Sequence, residues 1–508
     1  MTIPANPLLY EINTRVWLGE LAQERPRRGR QAKSGPLSLA QVPPAAVKRI
    51  AGLGFDLVWM MGVWQTGALG EQQAREFVAA HPEITGLADF TPDDVGGSPY
   101  AVQEYKAHSA FGGPTALAAL REQLAKQRIG LLLDFVPNHT ALDHPWVSRH
   151  PEFYVQGTEE DLENDKHSFF AVETAHGRRI LAHGRDPYFP AWRDTAQLNY
   201  QHPGLRAAMI QTLLEIAEQC DGVRCDMAML DLQDVFARTW GERAQPGEGK
   251  PAEGEFWAEA IDAVRGKYPR FLFLAEAYWG LEPRLQALGF DYTYDKTLYD
   301  HLVHHGGREI RDHLRADPEV QMRSARFLEN HDEPRAARQF PLDKHRAAAV
   351  LTYTLPGMRL FHEGQLEGRT HHVPMQLRRR PAEPVNEELQ KFYGSLLREL
   401  RDPALRQGHW KLLEPRPAWE GNPTWEQFVV HRWAHPEHGA HVVAVNYGPA
   451  QAQCHVPLQL HRIGGRKILL RDKLSDAVYE RDGDSLIAPG LFLDMAPYQA
   501  HLFEVGRA

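Results

Sequence analysis

Runs of consecutive apolar residues recur along the chain at Leu8–Leu18, Phe55–Trp64, Ile129–Val136, Gly222–Ala228, Phe271–Ala275, Arg326–Glu329 and Met358–His362. Side chains that are apolar on successive positions, rather than on alternate ones, predict strands covered on both faces. Amphipathic stretches separate these runs. In Pro114–Arg128, Leu117, Leu120 and Leu124 share one face at spacings of three and four, which predicts a helix capped by Thr115 and ended by Gly130. Strand and helix in repeated alternation predict an α/β fold with a parallel sheet, and the length fits closure into a (β/α)8 TIM barrel.

Two regions break the alternation. After Val136, about sixty residues rich in acidic, His, Gly and aromatic side chains pass before the next apolar helix near Leu205–Ile216, and so long a loop is functional or a small subdomain. From about residue 402 the pattern changes to short strands (Gln427–Arg432, His441–Tyr447, Lys467–Leu470, His501–Val505) separated by turn residues, which predicts an antiparallel β-domain. The expected organisation is a first barrel part over 1–138, an excursion over 139–200, the remaining barrel over 201–401 and a C-terminal β-sandwich over 402–508.

Composition narrows the function classes. Hydrophobic residues make up 43% of the 508 and charged residues 24%, enough apolar matter for a large core, which excludes a mainly disordered or fibrous chain. A formal charge of -9 offers no basic field for a polyanion, so nucleic acid is not an expected partner. The local basic run at Arg25, Arg27, Arg28 and Arg30 reads as a solvated loop. No apolar run approaches the ~20 residues a membrane span needs, and no membrane partner is expected. Three cysteines without C-x-x-C spacing exclude a disulfide framework and a zinc ribbon. With neither a basic n-region nor a long apolar h-region at the start, a cytoplasmic location is the expectation.

Acidic groups recur where the predicted strands run out: Asp134 with His139, Arg224 with Asp226, Glu276, and His331 with Asp332. In a parallel barrel the carboxyl ends of the strands form one rim, where active sites sit. Arg224 and Asp226 are two apart in a strand, so their side chains leave the same face and can pair. Taken alone, that pair reads equally well as a buried structural ion pair, and Glu276 alone as a solvated strand end. The conjunction of three carboxylates at three strand ends favours chemistry, and two carboxyl groups flanking a sugar linkage suffice for glycoside hydrolysis. Trp146, Phe153, Tyr188, Phe189 and Trp192 divide between stacking on sugars and, for most of them, filling the excursion's own core.

These segments resemble the four short regions of the α-amylase family (glycoside hydrolase family 13), in order: D-F-V-P-N-H at Asp134–His139, G-V-R-C-D-M-A at Gly222–Ala228, A-E-A-Y-W at Ala275–Trp279 and F-L-E-N-H-D at Phe327–Asp332. The resemblance extends to the layout, with the excursion similar to the family's B domain and the tail to its C domain. It implies a retaining enzyme in which Asp226 is the nucleophile, Glu276 the acid and base, and Asp332 a holder of the distorted ring's hydroxyls. It further implies that His139 and His331 bind the same ring and that Arg224 orients Asp226; Tyr100, in G-G-S-P-Y where the family usually carries Gly-Tyr, is then a sugar-stacking platform or a core tyrosine. The implied substrate is an oligosaccharide or disaccharide with α-glucosidic bonds, hydrolysed through a covalent glycosyl-enzyme. Interception of that ester by another sugar, by an isomerising rearrangement or by phosphate is the alternative. A non-catalytic amylase-like subunit is a third class, at odds with the presence of all three carboxylates.

Two departures matter. Met229 and Leu230 stand where many endo-acting amylases carry Lys-His, which points toward short substrates. The segment that usually offers an acidic calcium ligand reads T-A-Q-L-N-Y, with Gln197 and Asn199, and Asn138 has no evident partners, so no metal or other cofactor is expected. The oligomeric state is not legible.

Overall fold

The computed structural model describes residues 3–24, 36–175, 177–245 and 250–507; the Arg25–Arg30 run lies outside them. Eight parallel strands close a barrel: β1 (Leu8–Asn13), β2 (Leu57–Met61), β3 (Gly130–Phe135), β4 (Gly222–Cys225), β5 (Leu272–Ala275), β6 (Tyr292–Tyr294), β7 (Ser324–Arg326) and β8 (Met358–His362). Each pairs with its sequence neighbours and β8 returns to β1, with Tyr10 level with Phe361. The strands are buried along nearly their whole length, as their unbroken apolar runs require.

The structure corrects several sequence expectations. The first apolar run is not one strand: a helix starts at Thr14 and runs to Glu24, burying Val16, Trp17, Leu18 and Leu21. A run buried on every side has no periodicity to separate strand from helix. β7 starts at Ser324, ahead of the expected Arg326. The predicted helix spans Gly113–Lys126; Gly112, at φ 91°, precedes it in place of a Thr115 cap, and Gly130 opens β3. β6 was not expected, because Tyr-Thr-Tyr is short and half polar.

Three connections leave the β/α rhythm. The segment after β3 forms the expected excursion, with His139–Ala141 paired to Thr195–Gln197 and a hairpin of Phe169–Thr174 with Gly177–Ala182. A second insert, unexpected, follows β2. It pairs Trp64–Thr66 with Val102–Ala107, and it carries a helix over Ala68–Ala80. The loop after β8 locks onto that insert: Gly96 N–H donates to Gln376 O (2.7 Å), Arg378 N–H to Asp94 O (2.7 Å), and Val78, Val95 and Leu377 share a small core.

Beyond Gly408 lie a six-stranded antiparallel sheet, which includes Phe428–His435, Gly439–Asn446 and Ala500–Arg507, and a three-stranded one. Phe428, Val430 and Val442 face the three-stranded sheet, while Val429, Trp433, Val443 and Val445 join the barrel's core. The larger sheet is therefore a middle layer, buried on both faces. Trp433 seals it to the barrel, its Nε1–H donating to Thr354 O at 2.7 Å. Among the described residues no helix is long and apolar enough to cross a membrane.

Trp433→Ala is expected to cost about 3–5 kcal/mol through the cavity it leaves. Trp433→Phe, which removes the N–H donor and part of the buried ring, should cost less, about 1–3 kcal/mol. Calorimetric unfolding of both variants checks the order.

Candidate active site

Strand register brings the acids together. Cys225 is level with Phe135 on one side and Ala275 on the other, so Asp226 and Glu276 sit one step further along adjacent strands. Sheet-like hydrogen bonds carry the register past the strand ends: Asp226 N–H to Phe135 O (2.8 Å) and Glu276 N–H to Cys225 O (3.0 Å). Neighbouring strands are ~4.8 Å apart. Met227 then turns at once into the left-handed region (φ 42°), and its N–H donates to Glu276 Oε2 at 2.8 Å.

Arg224, fully buried, reaches both acids. Its Nη1 donates to Asp226 Oδ1 at 2.6 Å, and its Nη2 lies 2.7 Å from Glu276 Oε2. Aromatic faces of Trp59, Tyr100 and Tyr294 surround the guanidinium at 5.1–5.6 Å from its carbon. Asp134, level with Arg224 on β3, accepts from Trp59 Nε1 (2.9 Å) and Gly62 N–H (2.7 Å). Sequence spacing anticipated the Arg224–Asp226 pair, but not that the same guanidinium also grips Glu276.

Burial pushes both Asp226 and Glu276 up from the usual carboxylate range, with Arg224 opposing it. Tyr278 O–H lies 2.7 Å from Glu276 Oε1, and a hydroxyl can donate or accept, so this contact survives protonation of Glu276. Asp332 lies at the cavity wall. Its Oδ2 is 3.1 Å from His331 Nε2, which also meets Tyr100 O–H at 2.7 Å. Behind His331 is Glu11, fully buried on β1, with Oε1 2.6 Å from His331 Nδ1. Burial pulls His331 down, but Asp332 and Glu11 outweigh it and raise its pKa to about 9, so the ring is an imidazolium at neutral pH. His139 is the opposite: burial lowers it to about 4, against Asp194, and it is neutral.

A cavity of about 470 Å³ opens over this array, within the range of small-molecule sites. Tyr100, His139, Asp226, Glu276 and Asp332 line it; Arg224 and His331 lie directly beneath. All seven candidate residues thus meet in one place, although Tyr100 is nearly buried. Phe189 and Trp192 also line the cavity, and Tyr188 packs edge-on to Trp279 (5.0 Å) outside it. Asp186 Oδ1 accepts from the N–H groups of Tyr188 (2.6 Å) and Phe189 (3.0 Å), fixing the turn that presents these rings. Trp146 and Phe153 pack on each other instead (5.5 Å). Sequence reading missed Glu11 and Asp194. A lone acid inside the apolar strand L-L-Y-E-I-N was the available signal for Glu11; Asp194 carried none.

The residues near Asn138 do not fit a calcium ion. Gln197 is fully buried, and its Nε2 donates to Asn138 Oδ1 (2.9 Å), Asn138 O (2.9 Å) and Leu198 O (3.1 Å). An amide donor occupies the oxygens that a hard cation would require. Among the described residues, no cluster of three or more His, Cys, Asp or Glu side chains could hold a metal.

Residues 47–414 match the family described as "Alpha amylase, catalytic domain". An alpha-amylase of Haloarcula japonica (MalA) is 28% identical over 249 residues, 47% of this chain and 32% of that protein. An alpha-glucosidase of Culex pipiens is 26% identical over 369 residues, 63% of this chain and 57% of that protein. The chain therefore spans less than two thirds of the length of these relatives. Among solved structures, the noncanonic maltogenic alpha-amylase AmyB from Thermotoga neapolitana superposes with a TM-score of 0.67 at 18% identity, covering 99% of both chains; that likeness speaks for the fold.

The Glu11–His331 pair gives a signed prediction. His331's folded pKa lies above its ordinary 6.5, so the stabilisation is complete below about 6.5 and lost as pH rises through about 9. Glu11→Gln removes one counter-charge and should lower the His331 pKa by roughly 1–3 pH units. Histidine ¹⁵N NMR titration reads this directly; an unmoved midpoint near 9 would refute the coupling.

Proposed function

The chain belongs to the alpha-amylase family, and from that premise we propose that it is a retaining glycoside hydrolase acting on α-glucosidic bonds of malto-oligosaccharides. The observation that carries the reading is the grip of one buried guanidinium on both Asp226 and Glu276. Carboxyl groups on neighbouring nitrogens of one guanidinium sit close together. That favours the roughly 5–5.5 Å spacing of double displacement over the roughly 6.5–9.5 Å of single displacement.

In the proposed reaction the glucosyl ring lies against Tyr100 and His139, with Asp332 accepting its hydroxyl protons. Asp226, kept ionised and aimed by Arg224, attacks the anomeric carbon as the C–O bond to the leaving sugar breaks. Glu276, whose burial favours the neutral acid, gives its proton to the departing oxygen. Glu276, now ionised, takes a proton from water, and that water opens the ester and frees Asp226. Positive charge developing on the ring is met by carboxylates on several sides. Another sugar in place of water would make the same machinery a transferase. The exposed aromatic rings at Tyr188, Phe189 and Trp279, beside the acid, suit an acceptor and support that second reading. Gln197's bonding supports activity without calcium.

Asp226→Asn should lower kcat by about 10⁴-fold or more. Glu276→Gln should lose about 10²–10⁴-fold on maltotetraose, and much less on a 4-nitrophenyl glucoside, whose leaving group needs no proton. Near-wild-type rates in either variant would reject the roles. Chromatography of products from maltose, sucrose and maltotetraose, with and without phosphate, separates hydrolysis from transfer: longer products or a sugar phosphate would reject simple hydrolysis. Excess EDTA should leave both Tm and kcat unchanged.

A further inference from the structure

Glu276 keeps its two oxygens in different company. Oε2 meets only donors, the guanidinium of Arg224 at 2.7 Å and the N–H of Met227 at 2.8 Å. Neither has a lone pair to accept with, so a proton on Oε2 would face two hydrogens. The neutral acid therefore carries its proton on Oε1. That oxygen meets the hydroxyl of Tyr278 at 2.7 Å.

The backbone fixes this contact. Tyr278 stands two residues beyond Glu276, past the end of β5, and both line the cavity, while Ala277 between them is fully buried. The chain then reverses through Trp279 and Gly280, at φ 66° and 72°, and Leu281 N–H closes the turn on Tyr278 O at 3.2 Å. The ring itself packs against the barrel's core. A phenol can reverse the sense of its hydrogen bond: it accepts from a neutral carboxyl group and donates to a carboxylate. Burial, and then the acids Glu276 and Asp332, hold its pKa well above the ordinary phenol range, so it keeps its own proton throughout.

We propose that Tyr278 is a positioning residue for the acid: it marks Oε1 as the oxygen from which the proton leaves, and it becomes a donor to that oxygen once the proton has gone. This rests on the glycosidic reading above, in which Glu276 is the acid, and adds a residue to it. In the first displacement the Oε1–H bond breaks and its proton joins the glycosidic oxygen, which keeps the electron pair of the broken C–O bond. The Tyr278 hydroxyl then rotates to donate to the new carboxylate. In the second displacement water returns a proton to Oε1 while its oxygen bonds to the anomeric carbon. The ester electrons go back to Asp226, and the hydroxyl reverses. Negative charge thus passes from Asp226 to Glu276 and back across one guanidinium, and Tyr278 donates on the Glu276 side only while the charge is there.

The test follows kcat/KM against pH for the full chain on maltotetraose, where the falling alkaline limb is the ionisation of Glu276 in the free enzyme. Glu276 is faced by Arg224 and Asp226 from β4, Tyr294 from β6, Asp332 from beyond β7 and Asp186 across the cavity. Tyr278→Phe alters none of these. Loss of a donor to the carboxylate favours the neutral form, so the limb should move up by about one pH unit. On the plateau kcat/KM should fall about three- to tenfold on maltotetraose, and much less on 4-nitrophenyl α-glucoside, whose leaving group needs no proton. Site-specific 3-fluorotyrosine at position 278, a stronger donor of nearly the same shape, should move the limb down instead. Equal losses on both substrates with the limb in place, or a limb that fluorotyrosine does not move, would overturn the role of Tyr278 and leave Glu276 as the acid. In Glu276→Gln the limb should vanish; a limb that persists there would remove the glycosidic reading and the Tyr278 role with it.

Discussion

A charged guanidinium fully removed from water is the constraint on which the site is built. Arg224 would be intolerable in the barrel interior without compensation, since an unpaired buried ion costs several kcal/mol. Two carboxylates and three aromatic faces supply that compensation. The cation sits between Asp226 and Glu276, and this keeps two acids closer than their own repulsion would allow. Stability and chemistry are thus tied to one residue. The attraction that offsets the burial of Arg224 also holds the two carboxyl groups of the proposed reaction side by side, with their proton affinities raised by the same loss of solvent.

Strand register does the positioning. Side chains two apart share a face, so Arg224 and Asp226 both point inward, and Asp134 and Glu276 come from the neighbouring strands at matching levels. The left-handed turn at Met227 ends β4 abruptly and sends an N–H back to Glu276. On the far side, β1 contributes Glu11 at the level of Trp59 and His362. From there a buried acid fixes an imidazolium, and the imidazolium fixes Tyr100 and Asp332. Tyr100, Asp226, Glu276 and Asp332 are thereby each held by a group one layer deeper.

Legibility in the sequence followed from how many constraints each feature had to satisfy. Asp226 was readable because an acid and a base two apart at the end of an apolar run satisfy strand periodicity and ion pairing together. Glu276 and Asp332 were weak alone and strong in company. Glu11 belongs to the same network, but its partner lies 320 positions away, and pairing at that distance leaves no local pattern. β6 escaped because three residues, two of them tyrosines with polar tips, carry no clear period. The helix over Ala68–Ala80 has ordinary amphipathic spacing, so nothing in it distinguishes an inserted helix from an outer barrel helix. The loop after β8 bonds to the same insert at Asp94 and Gly96, through backbone groups that any sequence possesses.

Charge is partitioned in a way that bears on the reaction. Asp186, Asp194, Asp226, Glu276 and Asp332 line the cavity, whereas the two cations, Arg224 and His331, lie beneath it and are already engaged by acids. The excursion is fastened next to His139 by the neutral amides of Asn138 and Gln197. A surface weighted toward acids favours a neutral sugar whose transition state turns positive, and it disfavours an incoming dianion. In the proposed reaction, water and sugar hydroxyls therefore meet a lower electrostatic barrier than phosphate, and the partition of charge argues for hydrolysis or sugar transfer over phosphorolysis.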